Sequence, residues 1–362
     1  MQTYFPEIKK NFGFGMMRLP MTGEAVDIPQ TKAMVDAFLA AGFNYFDTAH
    51  GYIGGKSELA IKECLTDRYP REAYVLANKL SGSCFEEESD LAPLFESQLE
   101  RCGVDYFDFY LLHALSEERN KLFTHANAHA FARRLKEEGK VRHLGFSFHG
   151  TPEFLDRFLT EHPYMEFVQL QFNYADYEDP QVESRACYEV CRKHQKPVLV
   201  MEPVKGGSLV HLPREALDLL NASPASYAIR YAAGFEGIIM VLSGMSDMAQ
   251  MEDNLSHMTN FVPLSEAEQE IIGKVRTLYQ AQNRIPCTAC RYCVDGCPAG
   301  IAIPDVFSLM NSKLAKEGAP EADYAALPVQ ADACLECGKC EAVCPQHLHI
   351  RQLLKEVTKV LL

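Results

Sequence analysis

The sequence predicts an α/β protein: a (β/α)8 TIM barrel followed by a small α+β domain built around cysteines. Three observations carry this prediction. Up to residue 260, short apolar runs alternate with amphipathic helical stretches. Near the C-terminus, eight cysteines fall into two runs of identical spacing. Polar residues also stand at the ends of several apolar runs, where a barrel gathers its functional groups.

The segment GFGMM (13–17) is expected as a short hairpin plugging the barrel base. TKAMVDAFLAAG (31–42) has helical apolar spacing and stops at Gly42. FNYFDTA (43–49) is a short strand, and SELAIKECL (57–65) a helix that Ser57 is placed to cap. The alternation continues with strand AYVLANKL (73–80), helix DLAPLFESQLERCG (90–103) and strand YFDFYLLH (106–113). Helix ANAHAFARRLKEEGK (126–140), strand VRHLGFS (141–147), helix EFLDRFLTEH (153–162) and strand EFVQLQFN (166–173) follow. Then come helix DPQVESRACYEVCRKHQK (179–196), strand PVLVMEPV (197–204), helix SPASYAIRYAAG (223–234), strand FEGIIMVLSG (235–244) and a helix over 247–257. Nearly all-apolar strands between amphipathic helices imply a parallel sheet covered on its outside. These seven strands and eight helices, read as eight strand–helix units, fit a closed barrel. An open doubly wound sheet would need a Gly-rich turn after its first strand, and no G-x-G-x-x-G opens a helix here. The expected domains are a barrel over 1–263, a linking helix over 264–283 (SEAEQEIIGKVRTLYQAQ, 265–282) and a cysteine domain over 284–362. The last of these ends in an amphipathic helix, IRQLLKEVTKVLL (350–362).

Composition narrows the function classes. The net charge is −14, and from residue 284 onward 8 basic residues meet 9 acidic ones. The acidity therefore belongs to the barrel and argues against nucleic acid as a partner. The N-terminus has no basic start ahead of an apolar core, so no signal peptide is read. No apolar run reaches membrane-spanning length. Thirteen cysteines in an unexported chain point to a reducing cytoplasm. Five of them (Cys64, Cys84, Cys102, Cys187 and Cys191) are scattered and read as packing residues.

The other eight form Cys287, Cys290, Cys293, Cys297 and Cys334, Cys337, Cys340, Cys344. Each run is C-x2-C-x2-C-x3-C followed by proline. Three thiolates at this spacing can grip three irons of a cubane, with the fourth iron ligated from elsewhere. Disulfides would need an oxidising compartment, and zinc sites show paired C-x2-C units rather than such triplets. Residues 284–350 resemble a bacterial-type dicluster ferredoxin with a longer insert between the runs. The resemblance implies two [4Fe-4S] clusters with exchanged fourth ligands. One is held by Cys287, Cys290, Cys293 and Cys344, and the other by Cys334, Cys337, Cys340 and Cys297.

In the barrel, Asp47, Lys79 and His113 end successive strands, and Tyr52 stands just beyond Asp47. Singly, each has an ordinary structural reading. Together they converge, because successive strand ends are neighbours in a barrel. FDTAHGY (46–52), GGKSE (54–58), ANK (77–79) and DFYLLH (108–113) resemble the aldo-keto reductase family over residues 8–260. The whole chain is similar to its iron–sulfur members, with a C-terminal dicluster ferredoxin-like domain. The resemblance implies reversible NAD(P)H-dependent reduction of a small carbonyl, with Asp47, Tyr52, Lys79 and His113 as the tetrad. Tyr52 would donate the proton, Lys79 would favour its phenolate and Asp47 would hold Lys79. His113 would hydrogen-bond the carbonyl oxygen.

The resemblance also places the dinucleotide. Ser147 and Gln169 match the carboxamide partners, and Met201 stands where many relatives have a ring-stacking tyrosine. VKGGSL (204–209), with Lys205 and Gly206, is placed to wrap the pyrophosphate. LSGMSDMAQMEDNL (242–255), with Gly244, Asn254 and the neighbouring Glu252 and Asp253, is the adenosine segment. It carries no Lys or Arg, and Asp247 would repel a 2′-phosphate, which favours NADH over NADPH. Segments 81–93 and 114–125 are expected as loops lining the mouth. A flavin would couple hydride transfer to one-electron clusters, but no motif supports one. The clusters then serve electron transfer with a ferredoxin-type redox partner, or docking. The alternative from another class is an electron-transfer protein whose barrel is mainly a scaffold, and the intact tetrad argues against it.

Overall fold

The computed structural model describes residues 4–361. Residues 1–3 and Leu362, the outer ends of the expected domains and of the last helix, lie outside them. Contacts divide the chain into two compact units. The first comprises Met1–Glu178, Glu183–Pro203 and Ala225–Ser265. The second comprises Asp179–Val182, Val204–Pro224 and Glu266–Leu362.

The first unit is a closed parallel barrel. Its strands are β1 (Phe12–Gly15), β4 (Tyr45–Asp47), β5 (Val75–Ser81), β6 (Phe107–Leu115), β7 (Val141–Phe148), β8 (Phe167–Gln171), β9 (Val198–Met201) and β10 (Ile238–Gly244). A separate hairpin pairs β2 (Met21–Thr22) with β3 (Ala25–Val26). Seven barrel strands fall on apolar runs of the sequence. The eighth corrects the expectation of a hairpin at 13–17. Phe12–Gly15 is itself a barrel strand, pairing with β10 on one side and β4 on the other.

Two glycines in four residues hide this strand, since glycine lowers strand propensity. Gly13 is there for space: a Cβ on it would lie 2.6 Å from the Leu242 side chain and 2.9 Å from the Met240 sulfur. The base is plugged instead by Phe5, whose ring packs on Phe109 at 4.9 Å and His143 at 4.5 Å between centroids. Above it the interior is filled by Tyr45, Phe109, Leu111, Phe167, Leu199, Met240 and Leu242.

The outer helices follow the sequence pattern with three differences. The helix expected over 179–196 spans only Ser184–Lys193, because Glu183 takes a left-handed conformation (φ 52°) that a continuing helix cannot hold. The expected loop 114–125 contains a helix, Glu117–His125, capped by Ser116. Its only buried side chain is Phe123, so it leaves little apolar periodicity to read. Ser57 is not a cap; its hydroxyl lies inside the unit, against Thr48 Oγ1 (2.7 Å) and the Met16 carbonyl (2.8 Å).

In the second unit, helix Glu266–Gln280 leads to the first cysteine run. Helices Ile303–Ala315 and Pro320–Ala325 fill the insert, and Ile350–Leu361 closes the chain. Ile301, Ile303, Val306, Phe307, Tyr324, Ile350, Leu354 and Val357 form its small core. Among the described residues no helix is long and apolar enough to cross a membrane.

Candidate active site and metal centres

Parallel register brings the polar strand ends onto one rim. Asp47 ends β4, Lys79 lies near the end of β5 and His113 near the end of β6, where it pairs with Ser81. Lys79 is only 1% exposed, and its ammonium donates to Asp47 Oδ1 at 2.6 Å and to the Thr48 carbonyl at 2.7 Å. A charge this dry persists only when paired and hydrogen-bonded. Burial raises the Asp47 carboxyl above the usual range, and the facing Lys79 charge works against that rise.

The Tyr52 ring lies under the Lys79 ammonium, 4.7 Å from nitrogen to centroid. The same ring meets the His113 ring in a T-shaped contact, 5.9 Å between centroids. His113 is driven well below its ordinary value by burial first, then by Lys79, Arg119 and His149. It is therefore a neutral imidazole at neutral pH. Its Nδ1 lies 2.6 Å from Ser81 Oγ.

The residues that hold this arrangement were not singled out from the sequence. Glu58 is fully buried and ties the Tyr52 loop to the barrel. It receives His50 at 2.9 Å, Arg101 at 2.8 Å and Asn78, the neighbour of Lys79, at 2.9 Å. Burial pushes its carboxyl up, but hydrogen bonds from His50, Asn78 and Arg101 outweigh that and hold it below the usual range. Gln98 bonds the Lys79 carbonyl and accepts from Tyr110. The G-x-S-E spacing at 55–58 was the one available signal for Glu58.

The expected dinucleotide residues divide between the units. Ser147, Gln169, Met201 and Gly244 stand at or near the ends of β7, β8, β9 and β10, around the rim from the tetrad. Ser147 Oγ accepts from the Ala114 amide at 2.7 Å, and Gln169 reaches Asp47 at 3.5 Å. Asn254, buried on helix Met248–Met258, donates to Ser243 Oγ at 3.2 Å. Asp247 caps that helix, accepting from the Gln250 amide at 2.8 Å. Glu252 and Asp253 lie on the same helix. Lys205 and Gly206 belong to the second unit, packed on residues of the cysteine runs.

The cysteines surround two small cavities. Cys287, Cys290, Cys293 and Cys344 line one; Cys334, Cys337, Cys340 and Cys297 line the other. The two runs share a backbone path, left-handed at Ala289 and Arg291 in one and at Glu336 and Gly338 in the other. In each, an amide points at the first sulfur: Ala289 to Cys287 and Glu336 to Cys334, both at 3.4 Å. Burial, then the thiols of Cys290, Cys287 and Cys344, push the Cys293 thiol up to about 12. A bound metal reverses that balance, because coordination deprotonates a thiol outright. Among the described residues no three His, Cys, Asp or Glu side chains converge on the position of a single metal ion. Four thiols around a cavity fit a polynuclear group.

Comparison with known proteins accords with both units. The profile described as "Aldo/keto reductase family" matches residues 11–219, and that described as "4Fe-4S dicluster domain" matches residues 286–348. An aldo-keto reductase of Mycobacterium is 36% identical over 117 residues, 32% of this chain and 40% of that protein. The NADH-specific methylglyoxal reductase of Escherichia coli is 28% identical over 196 residues, 48% of this chain and 57% of that protein. The chain thus spans about half the length of these curated relatives. An aldo-keto reductase from Klebsiella pneumoniae, solved in complex with NADPH, is similar with a TM-score of 0.60 at 18% identity. That match covers 74% of this chain and 95% of the other.

Proposed function

The chain belongs to the aldo/keto reductase family, and from that premise we propose that its barrel rim reversibly reduces a small aldehyde or ketone with a nicotinamide dinucleotide. The observation that carries this reading is the buried Lys79–Asp47 pair with Tyr52 on one side of the ammonium and His113 beyond the phenol ring. A bound nicotinamide supplies hydride to the carbonyl carbon. Tyr52 gives its phenolic proton to the oxygen as the carbonyl π bond opens. Lys79 favours the phenolate that remains, and takes up a proton-transfer role only through Tyr52. Asp47 accepts from the Lys79 ammonium and fixes its position. His113, held neutral by burial, has Nδ1 2.6 Å from Ser81 Oγ; with that hydroxyl as donor, its Nε2–H would hydrogen-bond the substrate oxygen without giving up its proton.

Ser147, Gln169, Met201, Gly244 and Asn254 would hold the dinucleotide. NADH is favoured over NADPH. The helix start where a 2′-phosphate would lie already carries the Asp247 carboxylate, and segment 242–255 supplies no cation. Titrating both dinucleotides checks this, and tighter NADPH binding would refute it.

The two cysteine cavities would each hold a [4Fe-4S] cluster, with ligands exchanged between runs. Such clusters carry single electrons, which suits exchange with a ferredoxin-type partner. Activity that survives cluster loss would instead make the second unit a docking module.

The test of the barrel reading is Tyr52→Phe on anaerobically purified protein. General acid–base catalysis is worth about a hundred- to ten-thousand-fold. Carbonyl reduction should fall by that range while dinucleotide binding survives. Unchanged turnover removes Tyr52 from the role.

A further inference from the structure

The two cysteine cavities share a backbone but not their surroundings. The residue after the first cysteine is Thr288, 1% exposed, in one run and Leu335, 67% exposed, in the other. The second residue after the last cysteine is Gln346, 5% exposed, against a half-buried Ala299. Thr288 and Gln346 line the same cavity, and both touch a segment that is far away in sequence.

That segment is Val204–Ser208, between β9 and β10 in the chain but packed within the second unit. Lys205, Gly206 and Gly207 take left-handed conformations in succession, with φ of 48°, 63° and 97°. A non-glycine residue in this region is uncommon and marks a functional or structural demand. Gly206 is pressed onto the first cysteine run: a Cβ there would lie 2.5 Å from the Thr288 carbonyl oxygen. Ser208 locks the turn, donating to the Lys205 carbonyl at 2.8 Å and meeting the Tyr279 hydroxyl at 3.1 Å. The result is a Lys205 side chain only 4% exposed, its ammonium 3.4 Å from Gln346 Oε1.

Each cavity also has an arginine on its lining, and these two are balanced. Arg291 pairs with Asp305 and Arg351 with Glu341, both in exposed positions where water and salt screen them. Lys205 is instead 4% exposed, and through Gln346 it backs onto one cavity. A cluster held by four thiolates is an anion that gains a further negative charge on reduction. A buried cation behind it stabilises the reduced form more than the oxidised one, and the net charge around a cluster is among the levers that set its potential.

We propose that Lys205 is a positioning and tuning residue of the second unit, raising the reduction potential of the cluster held by Cys287, Cys290, Cys293 and Cys344 and leaving the other cluster untouched. This rests on the reading that both cavities hold clusters. It gives the segment 204–208 a role distinct from wrapping a pyrophosphate.

The test is an anaerobic redox titration of the full-length protein followed by electron paramagnetic resonance, with iron content and dinucleotide affinity measured alongside. In Lys205→Met one of the two midpoint potentials should move to a more negative value while the other stays. Lys205→Arg, which keeps the charge, should leave both near the wild-type values. Lys205→Gln serves if the methionine variant does not retain iron, with the same one-sided shift expected. Two unmoved potentials, or two that move equally, overturn the proposal. Unmoved potentials with a several-fold loss of dinucleotide affinity overturn it in favour of a cofactor-binding lysine. Wild-type protein without two cluster signals overturns the cluster reading itself, and this proposal with it.

Discussion

The barrel rim and the cysteine unit build their sites in opposite ways. The rim is assembled from residues up to 66 positions apart, Asp47 to His113, by strand register. It is electrically complete in the protein alone, since Lys79 finds Asp47 and the Thr48 carbonyl, and Glu58 finds His50, Asn78 and Arg101. The cysteine unit is assembled mostly from local turns, joined across runs by one residue each way, Cys344 and Cys297. Its buried thiols are left with raised affinities for protons, and only a metal group turns that cost into stability. One site is finished by folding; the other is finished by its inorganic content.

This contrast fixes the order of expected effects. The largest is loss of iron. Chelation should unfold the helices of residues 266–362 and leave the barrel's thermal transition in place, as followed by circular dichroism on wild-type protein. A single joint transition before and after chelation would break the contrast. The same logic applies within the unit. Cys344→Ala should remove the same spectroscopic cluster as Cys287→Ala, and Cys297→Ala the same one as Cys334→Ala. Loss of one cluster per run, with Cys297→Ala matching Cys287→Ala, would overturn the exchanged ligation.

Next comes Glu58→Gln in the barrel. A buried carboxylate whose three partners lose a charged acceptor should cost about 1–3 kcal/mol of stability, read from denaturant midpoints. Arg101 and His50 keep some access to water, which holds the cost below that of a fully buried broken pair.

Smaller again, taken per pH unit and per histidine, is the pH response. His113 is held well below its usual value, and burial and then His162 hold His129 at about 4. Both therefore bind a proton more readily unfolded than folded. Barrel stability should be flat above the unfolded histidine value near ~6.5 and fall as pH drops below it, by up to about 1.4 kcal/mol per pH unit per histidine. For His129 the fall continues to pH about 4. A stability that rises on acidification through this window would contradict the neutral imidazoles.

The smallest effect is Ser81→Ala, which removes the hydroxyl 2.6 Å from His113 Nδ1. A lost neutral hydrogen bond costs about 0.5–1.5 kcal/mol. Carbonyl reduction should drop several-fold with dinucleotide affinity unchanged.

Much of this was legible in the sequence, for identifiable reasons. Seven barrel strands are long or apolar enough to announce themselves, while β1 is four residues with two glycines, of which Gly13 is required by the space its neighbours leave. The shared rim position of Asp47, Lys79 and His113 was legible because they interrupt apolar runs. Its supports were less so: Gln98 and Ser81 act through tertiary hydrogen bonds that no spacing records, and Glu58 had only the G-x-S-E spacing to announce it. The grouping of the cysteines around cavities was legible because three-residue spacing is a local property. Lys205 was placed by its neighbours in sequence, and its actual surroundings, Thr288 and Gln346, lie 83 and 141 positions away.

The central claim is that the Tyr52 phenol and the Lys79 ammonium act as one unit on a bound carbonyl. A double-mutant cycle of carbonyl reduction with Tyr52→Phe and Lys79→Met tests it most directly, because groups that act together are strongly non-additive. The double variant should be no slower than the worse single variant, with each single loss in the range of about a hundred- to ten-thousand-fold. Losses that multiply would show two independent roles and contradict the account.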